Sequence, residues 1–158
     1  MSSKSRILVV DDEPGILRFL RVALIANDFA FASVGSVQEA TQYIASHEPD
    51  VVVLDLGLPD GDGKDVIRQV REWSDVPIIV ISARDREAEK IEALDLGADD
   101  FVAKPFSIGE LMARIRVALR NALVHFAAKA GTKTIPIVFG IGSRTSQSEN
   151  KQFRSTRL

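Results

Sequence analysis

The 158-residue chain has no cysteine, which excludes a disulfide framework, a thiolate metal centre and a cysteine nucleophile. Histidine is nearly as scarce. His47, beside Glu48 and Pro49, reads as a loop residue, and His125 has no partner at ligand spacing. Trp73, the one tryptophan, stands where a third helix should end and is expected to pack there. No apolar run approaches the ~18 residues that would cross a bilayer. The start, Met1-Ser2-Ser3-Lys4-Ser5-Arg6, leads into a short strand with no signal-peptide core or cleavage site. The expectation is a cytoplasmic protein with no membrane partner.

What remains is ordinary for a globular chain: 46% hydrophobic and 27% charged residues. The length suits one domain with a full core and a short extension. A net charge of −2 hides an asymmetry. Residues 1–121 hold 14 Lys+Arg against 21 Asp+Glu, whereas residues 122–158 hold 6 against Glu149 alone. An acidic body with a basic tail does not read as one uniform domain.

Across the first 120 or so residues, short β-branched runs alternate with helix-period segments, the pattern of βαβ units around a parallel sheet. Ile7–Val10, Val51–Leu54 and Ile78–Ile81 are continuously apolar, as strands buried on both faces are. The run from Phe29 to Val34 is weaker and is expected at an edge. Pro14 opens a helix whose apolar face is Ile16, Leu17, Leu20 and Leu24. Ser36-Val37-Gln38-Glu39 and Ser107-Ile108-Gly109-Glu110 match the capping box. Gly97 is placed as the residue ending the fourth helix, and Leu111, Ile115, Ala118 and Leu119 give the last helix its apolar face. Ala122 to Ala130 can continue that helix up to Gly131. Beyond it, Ile135–Gly142 is an isolated apolar segment, and Ser143–Leu158 reads as polar, basic and disordered. Five strands and five helices predict a three-layer α/β domain with right-handed crossovers.

The chemistry lies where the strands run out. The first ends in Asp11-Asp12, the third in Asp55, the fourth in Ser82 and the fifth in Lys104-Pro105. Open α/β sheets bind ligands beyond the carboxyl ends of their strands, so these groups should converge. A hard cation such as Mg²⁺ takes one or two carboxylates together with phosphate oxygens. Asp12 and Asp55 can supply those ligands, with Asp11 acting directly or through water, and Gly57 can turn its carbonyl inward. A carboxylate can also serve as nucleophile and form an acyl phosphate. Lys104 suits a phosphate oxygen, and Ser82 can hydrogen-bond another. Taken singly, each residue has a plainer reading: a strand-end Asp caps a turn, Asp11-Asp12-Glu13 is an acidic first turn, Lys104 is solvated and Ser82 is a cap. Their coincidence at four strand ends is what the plain readings leave unexplained.

At these residues the chain resembles the receiver domain of two-component response regulators, across about residues 4–121. The motifs are Val9-Val10-Asp11-Asp12-Glu13-Pro14, Asp55-Leu56-Gly57-Leu58-Pro59-Asp60-Gly61-Asp62-Gly63, Ile81-Ser82-Ala83-Arg84 and Gly97-Ala98-Asp99-Asp100-Phe101-Val102-Ala103-Lys104-Pro105-Phe106. The resemblance implies a flavodoxin-like (βα)5 fold, a doubly wound parallel sheet of order 2-1-3-4-5. It implies Asp55 as acceptor of phosphate from a sensor histidine kinase, and Mg²⁺ held by Asp11, Asp12, Asp55 and the Gly57 carbonyl. Ser82 and Lys104 would contact the phosphoryl group, and the Lys104–Pro105 peptide would be cis. Enzymatic action would be limited to self-catalysed phosphotransfer and autodephosphorylation.

Ser82 and Phe101 match the family's switch positions, although Phe101 also reads as a plain core residue. The fourth and fifth helices resemble the dimer face of the OmpR/PhoB-type subfamily through Lys90, Asp95, Asp99, Asp100, Glu110, Arg114 and Arg120. Homodimerisation on phosphorylation would then use Lys90–Glu110 and Asp100–Arg114 pairs across a two-fold axis. The same charges also read as a solvated helix face. Within that subfamily, the Asp55 loop and the Ser82–Phe106 stretch are similar to regulators of the high-affinity potassium-transport (Kdp) operon. A full regulator of this type controls transcription through a winged-helix domain. The 37 residues after Asn121 are too few for one, so DNA would be reached only through a domain absent here. The basic tail can neutralise phosphates, or it can be a truncated or frame-shifted reading.

Rival classes can be weighed on single residues. An aspartyl-phosphate phosphatase of the haloacid-dehalogenase type needs a second Asp two residues past the nucleophile, where this chain has Gly57. A flavodoxin-like electron carrier needs a Ser/Thr/Gly-rich first loop, where this chain offers carboxylates that repel a phosphate. A stand-alone signalling receiver without DNA output remains an alternative.

Overall fold

The computed structural model describes residues 3–84 and 86–131. Five strands form one parallel sheet: β1 (Arg6–Val10), β2 (Ala30–Val34), β3 (Val51–Asp55), β4 (Ile78–Ser82) and β5 (Asp100–Ala103). Their spatial order is β2-β1-β3-β4-β5. Five helices alternate with them: α1 (Pro14–Ala26), α2 (Val37–His47), α3 (Gly63–Arg71), α4 (Glu87–Leu96) and α5 (Ile108–Lys129). A two-residue-per-strand hairpin, Gly57–Leu58 with Gly61–Asp62, fills the β3–α3 connection. The compact α/β unit closes at Leu119, and a second unit starts at Arg120. The segments Ile135–Gly142 and Ser143–Leu158 lie outside the described residues.

Period-two alternation splits the core into two layers, one on each face of the sheet. Leu8, Val10, Val52, Leu54, Ile78, Val80 and Phe101 meet Val37, Ala40, Ile44, Val66, Ile67, Val70 and Ala93 from α2, α3 and α4. On the other face Ile7, Val9, Val51, Val53, Ile79, Ile81 and Val102 meet Leu20 and Leu24 of α1 and Leu111, Met112, Ile115 and Ala118 of α5. With both faces covered, the inner strands have no solvent side, which is why they read as unbroken apolar runs. β2, at the edge, is only half-buried along its length.

The helix punctuation acts locally. The Ser36 hydroxyl accepts the Glu39 amide (3.1 Å), but the Glu39 carboxylate returns to the Gly35 amide and the Ser36 hydroxyl. At α5 only half of the expected box forms. The Ser107 hydroxyl accepts the Glu110 amide (3.0 Å), while the Glu110 carboxylate turns to Arg114. Gly97 ends α4 at φ +120°, and an added Cβ there would press on the Arg71 side chain. α5 runs on to Lys129, and Gly131 follows at φ +79°.

Two expectations are corrected. Trp73 is half-exposed, because it lies past the last turn of α3. His47 is the last residue of α2, its ring stacked on Tyr43 at 4.2 Å between centroids.

Candidate functional site

Parallel register brings the strand ends together. Val10 stands opposite Leu54, Asp55 opposite Ile81, and Ser82 opposite Ala103. The crevice is centred where the strand order reverses, with β2 on one side of β1 and β3 on the other.

Asp11 is fully buried, its amide donating to the Val34 carbonyl (3.1 Å). Its Oδ1 accepts the Glu13 amide (2.9 Å), which turns the chain into α1, and its Oδ2 lies 3.3 Å from Lys104 Nζ. That turn leaves Asp12 exposed at the rim, and one carboxylate oxygen from each of Asp11, Asp12 and Asp55 falls within 4.8 Å of the others. Asp55 closes β3 and is buried, with Lys104 Nζ 3.6 Å from its Oδ2. Burial pushes the Asp55 carboxyl above the ordinary range. Lys104 opposes that shift, Asp11 adds to it, and a hydrogen bond from the Gly57 backbone lowers it again. The Lys104 amide donates to the Ser82 carbonyl (2.9 Å), and the following Lys104–Pro105 peptide is cis, as the motif implied.

Three carboxylates against one ammonium leave a negative, all-oxygen cluster. That donor set fits a hard divalent cation.

Ser82 is almost fully buried, and its Oγ accepts the Arg84 amide (3.0 Å). Phe101 is buried in the α2–α4 layer with Lys90 Nζ 5.8 Å from its ring centroid. The remaining expected dimer-face residues are not all free for a partner. Arg114 is paired within the chain to Asp100 (2.9 Å) and Glu110 (3.0 Å). Asp99 accepts from Arg71 (3.0 Å) and from the Ile78 amide (2.8 Å), a staple between α3 and the start of β4. Asp95 and Arg120 are exposed.

Two features carried no local sign in the sequence. Asp60, in the hairpin, accepts the Val37 and Gln38 amides (2.7 and 3.1 Å) and so caps α2 from 23 residues away. Those bonds hold its carboxyl below the usual range. Lys64, buried in the first turn of α3, is shared by Glu89 (2.6 Å) and Glu92 (2.7 Å) of α4. Both are contacts between distant segments, for which spacing gives no signal.

A family profile, the response regulator receiver domain, matches residues 7–116. The chain belongs to that family. It is similar to the KDP operon transcriptional regulatory protein KdpE of Escherichia coli K12, 53% identical over 117 residues, covering 74% of this chain and 52% of that one. The response regulator MprA of Mycolicibacterium vanbaalenii is 46% identical over 117 residues, covering 73% and 51%. Both are OmpR/PhoB-type regulators, so the expected subfamily and the likeness to Kdp regulators are met. Among solved structures, the receiver domain of the Francisella response regulator 1452 superposes with a TM-score of 0.72 at 32% identity, covering 75% of this chain and 99% of that one. The receiver thus has the expected flavodoxin-like order, and the chain spans about half the length of the curated relatives it matches. Among its described residues no helix is long and apolar enough to cross a membrane.

Proposed function

We propose that this receiver accepts a phosphoryl group on Asp55 from a phosphohistidine of a sensor kinase. The observation that carries the reading is the Asp55 carboxylate at the end of the central strand, between Lys104 and the Asp11–Asp12 pair. An Asp55 carboxylate oxygen forms the new O–P bond as the N–P bond of the donor breaks, and the imidazole leaves with the electron pair and takes up a proton.

Two anions repel one another, so the site must neutralise charge. Lys104 would meet one phosphoryl oxygen and Ser82 would donate its hydroxyl to another. Asp11, Asp12, Asp55 and the Gly57 carbonyl would hold Mg²⁺. A divalent ion bound there supplies Lewis-acid neutralisation of the transferring group.

Output would follow from Ser82 moving toward the phosphoryl group and Phe101 settling in the space it leaves, which biases the α4–β5–α5 face toward a homodimer. In a longer chain that dimer would control transcription through DNA; the alternative is a stand-alone receiver. No catalysis beyond the receiver's own phosphotransfer and dephosphorylation is proposed, and the kinase partnership implies a cytoplasmic location. Incubation with acetyl phosphate and Mg²⁺, followed by intact mass, tests the core of this. Wild type gains one phosphate and Asp55→Asn gains none; equal uptake by both rejects Asp55.

A further inference from the structure

Lys64 is a cation in an unexpected place. It is the second residue of α3, where the helix dipole disfavours positive charge, and its side chain is only 10% exposed. A buried ammonium is tolerated when it is fully paired, and here the pairing comes from another helix. Glu89 and Glu92, three residues apart on one face of α4, both close on Nζ, and Asp62 stands 3.7 Å away. Those bonds push the Lys64 pKa upward.

The helix it holds buries little of its own surface in the core. Of the ten residues of α4, Ala93 alone is buried, while Ile91 and Leu94 face solvent. Apolar burial therefore anchors α4 weakly, and the charge cluster supplies much of what remains. The cluster also runs back to the phosphoacceptor site. Asp62 caps α3 through the Lys64 amide (2.9 Å) and accepts from Arg84 Nη1 (3.0 Å). The Arg84 amide is the group bonded to Ser82 Oγ.

We infer that Lys64 is a positioning residue for the switch. Its ammonium, clamped by Glu89 and Glu92, sets where α4 stands against α3, and the chain Lys64–Asp62–Arg84–Ser82 ties that placement to the Ser82 hydroxyl. This deepens the proposed function and rests on it for the meaning of the link, though the clamp itself can be measured without any phosphate.

The test is hydrogen exchange by mass spectrometry on the full chain, comparing peptides over residues 87–96 with those over 7–10 and 51–55. In Lys64→Met, α4 amides exchange about tenfold faster or more while the central strands are unchanged, the mark of local rather than global opening. Lys64→Arg keeps most of the protection, and Glu89→Gln with Glu92→Gln loses it. Unchanged α4 exchange in both Lys64→Met and the double glutamine variant overturns the clamp. So does acceleration of equal size in α4 and the strands, which marks a merely structural residue. Intact mass after acetyl phosphate treatment is read alongside, and Lys64→Met takes up phosphate as wild type does. If wild type itself takes none, the Asp55 reading fails while the exchange comparison still decides the clamp.

Discussion

Gly63 leaves the space that the Asp55 carbonyl occupies. The Gly63 amide donates to the Leu56 carbonyl (2.8 Å), and a Cβ at residue 63 would collide with the Asp55 oxygen and the Leu56 Cα. The start of α3 is thereby seated directly against Asp55, the end of β3. Because the atoms in the way are backbone, no side-chain rotation can relieve the crowding.

Gly63→Ala is therefore expected to destabilise by about 3 kcal/mol or more, at the upper end of overpacking costs. Gly15→Ala is the control, since nothing lies within 4 Å of a Cβ there. Urea unfolding of the two variants gives the comparison, and similar midpoints for both would show that α3 can shift to accommodate the methyl group.

Asp55→Asn should stabilise the protein near pH 7 in Mg²⁺-free buffer. Burial raises the folded-state pKa of Asp55 above its unfolded value, with Lys104 opposing the rise and Asp11 adding to it. The folded state therefore binds the proton more tightly, and stability falls as pH rises from the unfolded value of 3.8 through the folded one. Asparagine removes that penalty. The gain in melting temperature should be full above the raised pKa and vanish toward pH ~3.5, below the ordinary carboxylate value. A pH-independent difference would place its cause elsewhere.

Cation binding is expected to depend on Asp12 far more than on Glu13. Asp12 shares the oxygen cluster with Asp11 and Asp55, whereas Glu13 stands outside that cluster and is the N-cap of α1 without a capping bond from its side chain. Calorimetric Mg²⁺ titration should show Asp12→Ala losing affinity about tenfold or more and Glu13→Ala changing little. Affinity should also start to fall at a higher pH than for an ordinary aspartate site, because Asp55 takes up its proton early. Trp73 is a poor reporter here, being half-exposed beyond α3.

A beryllofluoride-loaded receiver should self-associate about 5–150-fold more tightly than the free one, the usual span of allosteric coupling. Sedimentation measures this, with a version ending near Asn121 run beside the full chain. Arg114→Glu is expected to weaken the dimer. Its cause must then be separated from the loss of the Asp100 and Glu110 pairs within the chain. Those pairs are partly exposed and contribute ~0–1 kcal/mol each, so folding should survive the change. Asp100→Arg combined with Arg114→Glu restores the Arg–carboxylate pair both within the chain and across a two-fold axis; recovery of the dimer by this swap supports a role for the pair, and failure to recover rejects it.

Most of the fold was readable along the chain. The runs at Ile7, Val51 and Ile78 read as strands covered on both faces, Pro14 opens a helix where its missing N–H is not needed, and Ser36, Gly97 and Ser107 each punctuate a helix through bonds to residues within a turn. The convergence of Asp11, Asp12, Asp55 and Lys104 was also readable, because parallel strands place all their carboxyl ends at one edge. These are short-range or topological facts, and residue spacing records them.

Charge pairing was not readable in the same way. Asp99 and Arg114 looked like groups awaiting a partner chain, yet Arg71 and Asp100 already engage them within the fold. Asp60 reaches the first turn of α2, and Lys64 reaches Glu89 and Glu92, across 22 to 28 residues. Local order and the site's chemistry came from the sequence by itself, since apolar periodicity and strand ends are set by near neighbours. Only the tertiary structure decided which ions meet and which remain exposed, because a long flexible side chain pairs with whatever packing brings within ~4 Å.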